Sequence, residues 1–175
     1  SSMVQYLKDR MSVCAQRNVG GVLSIIGGWM DPFYIFWKDI INSINYEAFA
    51  KLAWNIEMDV DDIWRSWAEK TFGAKAASSV IAALKLSQAV LEKSLAVKGI
   101  NFNDHSGYPD SFARIWETTW DWSNYWYPDS HARFAPTPQN ITEIIAEKEE
   151  AISLVREMLS HIGKARTNLR PAHYR

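Results

Sequence analysis

The chain has 175 residues, of which 47% are hydrophobic and 22% charged, with a formal net charge of −1. These totals describe a globular chain of one domain, or one domain with an attached element, and exclude a disordered one. So small a charge gives no electrostatic basis for binding nucleic acid or an anionic membrane surface, and a lone cysteine excludes both an intrachain disulfide framework and a cysteine-built zinc site.

No Met opens the chain, and Ser1-Ser2 reads as a cut from something longer. Residues 3–17 place Val4, Leu7, Met11 and Cys14 at spacings of three and four, one face of an amphipathic helix with Cys14 as a buried thiol. Residues 18–21 stop it, with glycines available for positive φ. Val22-Leu23-Ser24-Ile25-Ile26 is a short β-branched run expected to form a buried strand, closed by Gly27-Gly28. A ring-rich loop follows at 29–39. Asp31, Pro32, Lys38 and Asp39 interrupt the apolar window around it, so it makes a poor transmembrane helix. Asn42 or Ser43 is placed to cap a helix over 44–54, whose apolar side is Tyr46, Phe49, Ala50 and Ala53.

No second convincing strand occurs. A lone strand leaves its backbone groups unpaired, so 22–26 must pair with another copy or belong to a sheet whose other strands are absent. A helix–strand–loop–helix run with short turns matches the tail of a (β/α) barrel, in which the loop after each strand lies on the catalytic face. On that reading 29–39 faces a substrate.

Beyond Trp54 the pattern is helical only. Asp59 caps a helix with Asp62 three residues on, and Val60, Ile63, Trp64 and Trp67 form its inner face. Gly73 closes it. A long helix over 74–98 carries Val80, Ile81, Leu84, Leu91 and Leu95, with alanines that permit close approach, and Gly99 ends it. The last helix starts at Thr137-Pro138, a Thr cap with Pro in the first turn, and runs to about Ile162. Its apolar stripe is Ile141, Ile144, Ile145, Ile152, Val155, Leu159 and Ile162, and Glu143, Glu147, Glu149 and Glu150 form its wet side. The tail from 164 has no apolar period and is expected to fray. The predicted fold is therefore mainly α: a helical bundle with one short β-strand, resembling the end of a (β/α) barrel with its helical domain. Residues 1–55 form the barrel-like part and 56–175 the helical part.

Within the helical part, 101–136 holds ten Phe, Trp or Tyr residues among 36, interleaved with Asp104, Asp110, Glu117, Asp121 and Asp129, and a short helix is expected near 110–119. Rings beside carboxylates suit sugars, whose apolar faces stack while their hydroxyls are bonded. The other reading is a local aromatic core that fastens the segment to the bundle.

The run Asn45-Tyr46-Glu47-Ala48-Phe49-Ala50-Lys51-Leu52-Ala53-Trp54-Asn55, continued by Met58-Asp59-Val60-Asp61-Asp62-Ile63-Trp64-Arg65-Ser66-Trp67 and Thr71-Phe72-Gly73, carries a resemblance. It is similar to the junction of catalytic barrel and C-terminal helical domain in bacterial glycoside hydrolases of the α-glucuronidase type (family 67 and its relatives). The likeness covers roughly 20–95, and Ile56 stands where that family has Pro. It implies part of a carbohydrate-active enzyme that lacks the principal acid and base, which lie on earlier barrel strands.

On this reading Trp29, Trp37, Trp116, Trp120, Trp122 and Trp126 would stack on a glycan, and Asp31, Asp39, Asp104 and Asp121 would bond its hydroxyls. Glycoside hydrolysis needs two carboxyls about 5–10 Å apart. The pairs Asp31/Asp39 and Glu117/Asp121 are more simply solvated or capping groups. His105 and His131 with Asp104 and Asp129 lack metal-ligand spacing, and no cofactor or metal is implied. The competing function is a helical interaction or dimerisation module without sugar binding. The unpaired strand and the surplus of rings make self-association the expected behaviour.

Overall fold

The computed structural model describes residues 2–23, 40–99, 132–133 and 135–169. Five helices dominate them: α1 (Val4–Gln16), α2 (Ser43–Trp54), α3 (Val60–Phe72), α4 (Ala74–Leu95) and α5 (Pro138–Arg166). The fold is mainly α, and the described residues include no β-strand. Val22 and Leu23, the described part of the expected strand, are irregular and exposed, because no neighbouring strand among these residues pairs with them. Residues 24–26, the loop 29–39 and the helix expected near 110–119 lie outside the described residues.

The chain divides into two compact units, Ser1–Lys85 with Met158–Arg175, and Leu86–Glu157. In the first unit α1, α2 and α3 pack on one another. Val4 and Met11 of α1, Ile44, Ala48 and Leu52 of α2, and Ile63, Trp64, Trp67, Ala68 and Phe72 of α3 are buried together. The small residues Ala76 and Ala77 of α4 and Ala165 of α5 complete this core. Trp67 sits edge-on to Trp64 (5.9 Å between centroids) and to Phe72 (5.4 Å), and its Nε1 donates to Ser43 Oγ at 2.9 Å.

Helix boundaries follow local chemistry. Asp59 caps α3, its Oδ1 accepting from Asp61 N at 2.6 Å and Asp62 N at 3.3 Å. Gly73 stops α3 at φ +88°, ψ 152°, a conformation nearly reserved for glycine. Thr137 caps α5 by accepting from Asn140 N at 3.2 Å, with Pro138 in the first turn. α4 ends at Leu95, three residues short of the expected last residue Lys98, and both Lys98 (φ 50°) and Gly99 (φ 78°) are left-handed. α5 outlasts its expected end by four residues, since Gly163 is tolerated inside it.

Two predicted faces need correction. α2 buries Ile44, Ala48 and Leu52, leaving Ala50 and Ala53 exposed and Tyr46 and Phe49 half-buried. The helix is apolar nearly all round, so periodicity did not single out the face that α1 and α3 cover. On α5 the predicted stripe is turned out, with Ile141, Ile145, Ile152, Val155, Leu159 and Ile162 all exposed. In the second unit Glu143, Glu149 and Glu150 are exposed as expected, the first and last pairing with Lys98 and Lys93, while Glu147 is half-buried and accepts from Lys98 N. Asn42 also differs from expectation, making no side-chain cap for α2.

Candidate binding cleft

A hollow in the first unit lies where α1 ends. Asn18 adopts φ +53°, its N–H donates to Ala15 O at 3.0 Å, and Val19 N donates to Cys14 O at 3.0 Å. This pair of bonds is a Schellman stop with asparagine in the left-handed position; the glycines expected to serve there are not needed for it. The chain then turns back over the helix end, bringing Val19, Gly20, Gly21 and Val22 opposite Leu52, Ala53 and Trp54 of the last turn of α2.

That last turn is held from two sides. Asn55 is extended, and its Oδ1 accepts from Glu57 N at 3.0 Å. Lys8 of α1 donates to the carbonyls of Ile56 and, at 3.2 Å, of Met58. An asparagine turn and a lysine clamp thus end α2 where the resembling family has proline.

The cleft holds about 310 Å³, within the range of small-ligand sites. Met11, Cys14, Leu52 and Ile56 line it, and Trp54 stands beside it 93% exposed. Cys14 is half-buried, more accessible than the expected core thiol, because the cleft opens beside it. Its described lining is mostly apolar, with the Cys14 thiol and the Trp54 indole, which suits a flat or apolar face.

All ten predicted glycan contacts, Trp29, Asp31, Trp37, Asp39, Asp104, Trp116, Trp120, Asp121, Trp122 and Trp126, lie outside the described residues. So do Glu117, His105 and His131. Among the described residues no group of three or more His, Cys, Asp or Glu is placed to hold a metal. The sequence does not single out Trp54, because the expected apolar side of α2 runs through Phe49 and Ala53. The structure buries Leu52, and a residue two further on in a helix points the other way.

The second unit contains a polar clasp. Lys148 Nζ donates to the carbonyls of Lys93 (2.7 Å) and Ala96 at the end of α4, where an ammonium also suits the helix dipole. Glu147 accepts from Lys98 N at 2.9 Å and from Lys148 at 2.8 Å. Lys98 Nζ reaches Asn140 Oδ1 at 2.9 Å and pairs with Glu143. Buried Asn140 also donates to Ala132 O (2.9 Å) and Ala135 O (2.8 Å). The hydrogen bond from Lys98, then that from Gln139, holds the Glu143 carboxyl below its usual range. Bonding to Glu150 raises Lys93. Every strong group here is spent on another, which marks a structural fastening.

No family model, curated protein or solved structure matches the chain. No described helix is long and apolar enough to cross a membrane.

Proposed function

We propose that the chain is the C-terminal helical portion of a glycoside-hydrolase-like protein of the α-glucuronidase type, contributing a glycan-facing surface without catalysis of its own. The observation that carries this reading is Trp54. The tryptophan of the resembling run is 93% exposed beside a ring-sized cleft, while Trp64 and Trp67 from the same run are buried. An exposed indole on a rigid helix suits the apolar face of a sugar. The run that carries the likeness also coincides with α2, α3 and the turns that end them. The stretches 29–39 and 101–131 would supply the further rings and carboxylates.

Titration with glucuronate and xylo-oligosaccharides tests it. The expected result is a saturable change in tryptophan fluorescence, weakened by about 1–3 kcal/mol in Trp54→Ala, the scale for losing one aromatic stack. A flat response up to millimolar sugar removes the reading.

A second reading, a helical self-association module, is favoured by the exposed stripe on α5.

A further inference from the structure

The apolar residues that α5 leaves exposed are not scattered. Ile141, Ile145, Ile152 and Val155 fall on the alternating four–three spacing of a coiled-coil seam, with Lys148 at the one intervening position, and the same spacing continues to Leu159 and Ile162. Ile145 and Ile152 are each 52% exposed. Three successive heptads on one unbroken helix exceed what a solvated surface needs. Lys148 does not spoil the seam, because its ammonium is drawn aside onto the carbonyls of Lys93 and Ala96. The flank beyond the seam on one side contains Ala151, already buried by the chain itself, while the opposite flank carries exposed Glu149 and Arg156.

We propose that α5 pairs with α5 of a second copy, antiparallel, about a two-fold axis near Ile152 and Val155. This rests on the self-association reading and adds the surface and its direction. In that register Ile152 of each copy meets Val155 of the other, and Glu149 of each meets Arg156 of the other, giving two symmetric ion pairs. A parallel pair instead sets Glu149 and Arg156 against Ile144 and Ala151, leaving both charges unmatched. Charge complementarity therefore selects a second copy and the antiparallel direction together.

Sedimentation equilibrium of the full chain is the test, with helical circular dichroism confirming that each variant folds. The expected result is a dimer. Glu149→Arg alone and Arg156→Glu alone each weaken it roughly tenfold, two exposed pairs having turned repulsive. The double exchange restores it. Ile152→Asp gives a monomer; should that variant misfold, the exchange at the two exposed charges still decides. A dimer indifferent to both single reversals overturns the antiparallel seam and leaves self-association standing. A monomer at millimolar concentration overturns both, as it would if another segment of the chain or a different protein covers the stripe. A trimer or tetramer overturns the two-fold pair.

Discussion

At the scale of single residues, the tryptophans separate into two kinds. Trp67 is 2% exposed, touches Trp64 and Phe72 edge-on and spends its indole N–H on Ser43. Trp54, in the preceding helix, is almost wholly in water. Trp67→Ala should therefore cost about 3–5 kcal/mol in urea unfolding, from lost burial and the cavity left behind. Trp54→Ala should leave the midpoint within about 0.5 kcal/mol of wild type. Comparable losses from both would mean that α2 is packed differently. The inner face of α3 was legible in advance, since Ile63, Trp64 and Trp67 recur at helical spacing on an otherwise charged helix. The role of Trp54 was not, because α2 is apolar on several sides and only its neighbours decide which side is inside.

At the scale of elements, the turns carry more information than the helices they separate. Asp59, Gly73 and Thr137 were each readable as caps or stops, and each acts as one. The left-handed stop of α1 is Asn18, two residues before Gly20, the first of the glycines expected to supply it. Gly73 offers a clean experiment. A Cβ built there meets nothing within 4 Å, so Gly73→Ala introduces no clash and isolates the backbone term. The expected cost is about 1–3 kcal/mol in thermal or chemical unfolding, with the fold retained. No measurable cost would mean that the α3–α4 joint relaxes to another conformation. α5 shows the limit of amphipathic reading. Its isoleucine stripe, expected inside, is largely exposed, while Glu143, Glu149 and Glu150 are exposed as expected and Glu147 is drawn in. Periodicity reports that an apolar stripe exists, and only its packing partners decide whether that stripe is covered.

At the scale of the whole molecule, each unit holds a carboxylate whose pKa is lowered by an ion pair. In the first it is Asp61, bonded by Lys85 at 2.6 Å; in the second it is Glu143, bonded by Lys98. A folded-state pKa below the unfolded value adds stability that is present above the unfolded value and is lost as pH falls through the folded one. The reference values are 3.8 for Asp61 and 4.5 for Glu143. Lys93 is shifted up from 10.5, so its contribution is present below that value and is lost as pH rises through the folded pKa beyond it. Melting temperature should thus be flat across neutral pH and decline on acidification below about pH 4. The deficit of Glu143→Gln relative to wild type should shrink toward zero in the same acidic window. A constant deficit down to pH 2 would show that the carboxylate charge contributes nothing. The mainly helical character of the molecule was plain from its sequence. The cleft was not, since it is assembled from a helix end, a reversing turn and a second helix end whose proximity no local pattern announces.

Because Cys14 is the chain's one sulfhydryl and borders the hollow beside Trp54, its placement has a chemical consequence. Any adduct on that sulfur would form in one-to-one stoichiometry at a residue that lines the same hollow as an indole in water. The molecule therefore carries an attachment point and an optical donor in the lining of the same hollow.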